Sequence, residues 1–282
     1  MYETEILQLD LVGIAQSGQC FRMTEIENGV QLIAKGKFLQ VWDLGNHQFR
    51  FQCTQQEYED IWKEYFDLNT DYTQYRECIL KRDRFLQHAA VYGAGLRILN
   101  QEPFEMLVSF IISQRKSIPA IRTAVELLSK TFGSPIETEQ GTFWAFPTPQ
   151  QLANADLEQL KSCGLGYRAG YVLDAAQKVA TGQLDLEALQ NQTDENLLAQ
   201  LQTVSGVGIK VASCAALFGY HRLKALPIDV WMERVIQKVY QGKWPKSYQK
   251  YAGVLQQYMF YYARCPECDF LKEKQNTSAK TK

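Results

Sequence analysis

Apolar and polar residues alternate along QLIAKGKFLQVWDL and again along HQFRFQC, with Gly36 and the Gly45-Asn46 pair as turn signals. A period of two puts every second side chain on one face. The stretch from Ile6 to about Cys53 is therefore predicted to form a small antiparallel sheet with one buried face. At Gln55 the period lengthens to three and four residues, which predicts a helix over 55–65. The following FDLNTDYTQY carries Asn and Asp without any period and is expected to be a joint between two units.

Beyond that joint the pattern is helical almost throughout. Apolar positions recur at three and four in EMLVSFIIS and in AIRTAVELLSKTF, the second of which stops at Gly133-Ser134-Pro135. Further helices are predicted over 149–161 and 171–180, on either side of the loop CGLGYR, and a last one over 247–263. In LQTVSGVGIKVASC one apolar-periodic segment ends and another begins around Val207. Gly206 and Gly208 bracket it, and together they are read as permitting a hairpin too tight for residues bearing a Cβ. The predicted fold class is α+β: an antiparallel sheet domain over 1–70, a mostly helical core over 71–270 with the hairpin at about 197–218, and a polar, disordered tail over 271–282.

Length and charge narrow the reading. At 282 residues the chain is too long for a single small module. Thirty basic and 31 acidic residues give a net charge of −1, so any binding of nucleic acid has to rest on a local basic face. Seven scattered cysteines argue against a disulfide framework. MYETEILQLD lacks the basic start and apolar run of a signal peptide, and no stretch approaches the roughly 20 apolar residues that span a bilayer. A soluble, cytoplasmic protein is expected. Cys265-Pro-Glu-Cys268 has the spacing of half a zinc or iron–sulfur site, but no second pair follows and no metal is assigned.

The candidate chemistry sits beside the hairpin. Lys210 falls in the first turn of the helix after it, and Asp229 follows Pro227 at the start of another. A lysine is ordinarily a solvated surface group, and an Asp before a helical run is ordinarily an N-cap. The positive end of a helix and burial, however, both favour the uncharged amine, which can attack carbon and form a Schiff base. A capping carboxylate in the same cavity can stabilise positive charge on a sugar while still capping its helix. Backbone N–H groups of the hairpin suit one phosphate of a nucleic-acid strand, a contact that fixes position without reading sequence.

TVSGVGIKVASC followed by LPIDVW resembles the helix-hairpin-helix DNA glycosylases. With QSGQCFR, EPFEMLVSFIISQ, CGLGYRAGYV and YAGVLQQYMF in the same order, the match points to their 8-oxoguanine DNA glycosylase branch, bacterial type. The resemblance implies a bifunctional glycosylase/AP lyase of base excision repair, acting as a monomer on double-stranded DNA containing 8-oxoguanine, with no cofactor. It makes Lys210 the nucleophile and Asp229 its assistant. It makes Cys214 and Phe260 the two sides of a sandwich around the flipped base and Gln256 the reader of its Watson–Crick edge. Gly18 becomes the residue whose carbonyl accepts the N7 hydrogen of 8-oxoguanine. One such bond, weighed against about 1 to 3 kcal/mol for an unpaired buried acceptor, favours the lesion roughly tenfold to a hundredfold. Further discrimination must then arise elsewhere.

On the DNA-facing side the resemblance implies Tyr167 and Arg168 as wedge and orphan-cytosine contacts, with Gly206 and Gly208 on the phosphate. Here the chain departs from the eukaryotic pattern. Arg115 stands where those members have a gap-filling asparagine, and Ala120 where they have a second cytosine-reading arginine, which predicts weaker selectivity for cytosine opposite the lesion. Trp231 replaces a histidine at another DNA-facing position. Two rivals remain: a glycosylase for alkylated purines, whose relatives keep the aspartate but lack the lysine, and a non-catalytic module that uses the hairpin only to hold phosphate.

Overall fold

The computed structural model describes residues 1–266 and Cys268, so the expected tail over 271–282 lies outside the described residues. Five strands, β1 (Tyr2–Glu5), β2 (Met23–Ile26), β3 (Gly29–Ala34), β4 (Lys37–Asp43) and β5 (Gln48–Phe51), form an antiparallel sheet in the order β1-β5-β4-β3-β2. The alternation acts as expected: Val30 pairs with Val41 and Leu32 with Leu39, and Phe49 and Phe51 join these four on the buried face. The sheet starts earlier than predicted, because Tyr2 pairs with Phe51.

A helix, Leu11–Gln16, interrupts the stretch that was expected to be all strand. Asp10 caps it by accepting from the Gly13 N–H at 2.8 Å, and Leu11, Ile14 and Ala15 are buried at helical spacing. Six residues are too few for a helical period to emerge from sequence, and isolated helices this short are not stable, so packing creates it.

The 55–65 helix is present, capped by Thr54 and carrying a π-helical turn over Tyr58–Trp62. The expected joint after it is a packed knot. Phe66, Tyr72 and Tyr75 are buried, and the Asp67 carboxylate accepts from Thr70 Oγ1 at 2.6 Å and Tyr72 Oη at 2.8 Å. The Arg97 guanidinium donates to the carbonyls of Gln8, Asp67 and Thr70. Polar residues without a period spell a loop, but they also satisfy one another when buried.

A hairpin of β6 (Pro135–Thr138) and β7 (Gly141–Trp144) was not expected, and Phe143 fixes it by stacking on Phe38 of β4 at 4.2 Å. Asp156 accepts from the N–H groups of Glu158 and Gln159, so the 149–161 segment divides into Pro149–Ala153 and Leu157–Leu160. The last predicted helix is a 3-10 turn, Lys246–Tyr251, followed by Ala252–Ala263. At the centre lies Pro103–Ile112, buried along its whole length from Phe104 to Ile112 and packed against Ile209–Gly219. One continuous apolar core runs from the sheet through these helices to Cys268.

Candidate active site

The hairpin that ends at Lys210 is held from both sides. Gly206 has φ +75°, and a Cβ there would lie 2.2 Å from the Tyr171 ring, so backbone conformation and packing both require glycine. Gly208 does not share this need. Its φ of −90° and ψ of 179° are extended, and nothing lies within 4 Å of where a Cβ would stand. The open space leaves its backbone accessible. Asp174 accepts from the Ser205 N–H at 2.7 Å and from Lys178 Nζ at 3.0 Å, while Lys178 also donates to the Thr203 carbonyl at 2.6 Å. Burial opposes ionisation of Asp174, but these donors hold its carboxyl below the usual range.

Lys210 is the second residue of Ile209–Gly219 and half-buried, with its ammonium 5.3 Å from the centre of the Phe110 ring. Cys214, one turn later, is buried and within hydrogen-bonding reach of Lys210. Burial pushes its thiol up and the neighbouring amine opposes this, so the thiol is kept protonated and acts as an apolar wall. Asp229 caps Val230–Tyr240: its Oδ1 accepts from the N–H groups of Trp231 at 3.1 Å and Met232 at 2.9 Å. Both bonds use the same oxygen, so capping leaves Oδ2 over for a second role.

Lys210 and Asp229 line one cavity of about 630 Å³. Gly18, Arg115, Cys214, Trp231, Gln256 and Phe260 line it too. Gln256 is buried, and its Oε1 has no hydrogen-bond partner. Folding leaves that acceptor unpaired at a cost of about 1 to 3 kcal/mol. Gly18 has φ +75°, and a Cβ there would stand 3.1 Å from Ile118 Cδ1 and 3.3 Å from Phe260 Cε1. A bare backbone is thus needed where the loop meets the aromatic wall. The sequence reading missed Phe110, Ile118, Gln257 and Arg264, which also line the cavity. The Arg264 guanidinium lies 5.1 Å from the Phe260 ring centre, and its Nη1 donates to the Gln16 carbonyl at 3.0 Å. No short-range pattern marks these residues, because their neighbours lie far along the chain.

Of the DNA-facing candidates, Arg115 and Trp231 line this cavity, whereas Tyr167, Arg168, Gly206 and Gly208 do not. Arg115 is exposed at the rim in a left-handed turn, φ +53°. Trp231 is half-buried, with the Arg234 guanidinium 5.1 Å from its ring centre. Tyr167 is 54% exposed and suited to meet a partner. Arg168 departs from the expected surface contact. It is buried, donating through Nε to the Gln114 carbonyl at 2.8 Å and through Nη1 to that of Leu165 at 3.2 Å. Gln114 in turn donates to the Gly206 carbonyl at 3.2 Å, so Arg168 braces the loop before Arg115 against the hairpin.

An amine and a carboxylate at two helix starts line one cavity next to an open backbone hairpin, an arrangement suited to an enzyme that works on an extruded nucleotide. Comparison with known proteins agrees. Residues 1–107 match the model for the 8-oxoguanine DNA glycosylase N-terminal domain, and residues 108–258 match that for HhH-GPD superfamily base excision DNA repair proteins. The Clostridium acetobutylicum 8-oxoguanine glycosylase/lyase, solved with double-stranded DNA containing cytosine opposite 8-oxoguanine, is 31% identical with a TM-score of 0.86, over 94% of this chain and 98% of that one. The Saccharomyces cerevisiae N-glycosylase/DNA lyase is 33% identical over 168 residues, 55% of this chain and 45% of the yeast protein. A probable N-glycosylase/DNA lyase of Methanothermobacter thermautotrophicus is 28% identical over 71% of this chain and 72% of its own. The chain belongs to the helix-hairpin-helix superfamily of base excision glycosylases, in its 8-oxoguanine DNA glycosylase family. No helix among the described residues is long and apolar enough to cross a membrane.

Proposed function

We propose that the protein is a bifunctional DNA glycosylase/AP lyase that removes 8-oxoguanine from duplex DNA. The observation that carries this reading is that Lys210 and Asp229 share one cavity with the buried Gln256 and the Gly18–Phe260 wall. The duplex is held at the open hairpin, and the lesion is flipped into the cavity at a cost of a few kcal/mol, offset by stacking between Cys214 and Phe260.

The Lys210 amine, in its neutral form, donates its lone pair to C1′ of the deoxyribose as the C1′–N9 bond breaks. The bonding electrons leave with the base, which takes up a proton. Asp229 stabilises the positive charge that develops on the sugar. Ring opening then gives a Schiff base at C1′. Loss of a C2′ proton expels the 3′ phosphate and cuts the strand.

Borohydride trapping on a duplex containing 8-oxoguanine tests the assignment. The parent protein should yield a covalent adduct, and Lys210→Gln should yield neither adduct nor free base, a loss of about a thousandfold or more. An adduct of equal strength with Lys210→Gln would sink the mechanism. Preferential release of alkylated purines from a panel of lesion duplexes would replace the substrate.

A further inference from the structure

Gly18 is a residue of free backbone conformation whose neighbours are fixed. On its C-terminal side, Gln19 is buried and fully engaged: Nε2 donates to Ser17 Oγ at 3.0 Å and to the Arg97 carbonyl at 2.8 Å, and Oε1 accepts from the Leu99 N–H at 2.9 Å. The Gln19 carbonyl accepts from Gln101 Nε2 at 2.9 Å. These partners belong to the segment after the buried knot. On the N-terminal side the Ser17 N–H and Oγ donate to the Ile14 carbonyl at 3.2 and 2.7 Å, and the tie to the Ser17 carbonyl comes from the other end of the chain. Gln257, 2% exposed, donates through Nε2 to the Ser17 carbonyl at 2.7 Å, across 240 residues of sequence. Arg264 adds an exposed tie to the Gln16 carbonyl.

Gln256 and Gln257 are consecutive on one helix and do opposite things. Gln256 keeps its buried acceptor unpaired at the cavity, whereas Gln257 spends its donor on the peptide that precedes Gly18. The helix that carries the Watson–Crick reader is thereby tied by one hydrogen bond to the Ser17–Gly18 peptide, one unit before the peptide that carries the Gly18 carbonyl.

We propose that Gln257 is a positioning residue that determines lesion discrimination, by fixing the direction in which the Gly18 carbonyl points. This rests on the reading above, in which that carbonyl accepts the N7 hydrogen of 8-oxoguanine. The Gly18 carbonyl belongs to the Gly18–Gln19 peptide, which Gln19 anchors on its far side. The Gln257 bond holds the preceding peptide and so fixes Gly18 Cα, the pivot between the two. Without it that pivot shifts at little cost to a glycine, and the acceptor loses its aim. Stacking, attack by Lys210 and stabilisation by Asp229 do not pass through it.

The test is the ratio of affinities for two duplexes, identical except that one holds 8-oxoguanine and the other 8-bromoguanine, which is bulky at C8 but has no hydrogen on N7. Measured with Lys210→Gln protein, so that the duplex stays intact, Gln257→Met should reduce the preference for 8-oxoguanine by about fivefold to thirtyfold. A single cooperative thermal transition for Gln257→Met shows that the variant folds. An unchanged ratio, or equal weakening for both duplexes in the folded variant, would overturn the inference while leaving the substrate reading intact. A Gln257 parent with no preference for 8-oxoguanine would overturn both.

Discussion

The two walls of the cavity are built in different ways. The wall proposed to react, Lys210 and Asp229, is set by local structure: each residue stands at a helix start, and each position follows from a cap or a turn a few residues away. The wall proposed to recognise the base, Gly18, Gln256 and Phe260, is set by contacts between residues about 240 apart. The contrast shows how one scaffold can keep its chemistry while its substrate changes. A local wall survives changes elsewhere, whereas a long-range wall moves with any element that supports it.

The largest expected effect tests whether the reacting wall is more than a cap. Asn caps a helix about as well as Asp, so Asp229→Asn should leave the thermal midpoint nearly unchanged while base release falls by about a hundredfold to a thousandfold. If single-turnover excision stays near the parent rate, Asp229 is a cap alone.

Gln256→Leu tests the recognition wall. It removes an acceptor that folding leaves unpaired, so the free protein should gain about 1 kcal/mol of stability in denaturant unfolding, while 8-oxoguanine excision falls about tenfold to a hundredfold. Loss of stability together with excision would show that Gln256 supports the core instead.

The two hairpin glycines divide in the same manner, on a smaller scale. Gly206→Ala meets the Tyr171 ring at 2.2 Å with φ at +75°, and should cost about 1 to 3 kcal/mol, read as a lowered thermal midpoint. Gly208→Ala meets nothing and should leave stability unchanged. Its smaller effect, a few-fold weaker binding to an abasic duplex, would appear only if a phosphate comes up to that backbone. Unchanged binding would remove Gly208 from the DNA-facing set.

What could be read in advance follows the same divide. The sheet was legible because side chains on β4 and β5 alternate between buried and more exposed positions, although β3 is buried at five of its six. The central helices were legible because their apolar faces repeat. The helix at Leu11–Gln16 and the hairpin at 135–144 were not, since each is short and owes its form to a packing partner: Leu11, Ile14 and Ala15 lie in the core, and Phe143 lies on Phe38. Arg168 shows the same limit in the site. Its sequence position suggests a surface contact, and only the folded neighbour, the Gln114 carbonyl, turns it inward.

The sequence by itself determined the α+β order, the helix starts that carry Lys210 and Asp229, and the glycine at 206, because caps, turns and periods act over a few residues. Only the tertiary structure decided that the Gly18 loop from one end of the chain and the Gln256–Phe260 helix from the other form a single wall. It also decided that Gln257 holds them together and that Gly208 is free of steric need. The physical reason is range: a hydrogen bond across 240 residues leaves no trace in local pattern, yet once the core has paid the entropy of closure it fixes an acceptor as firmly as any neighbour could.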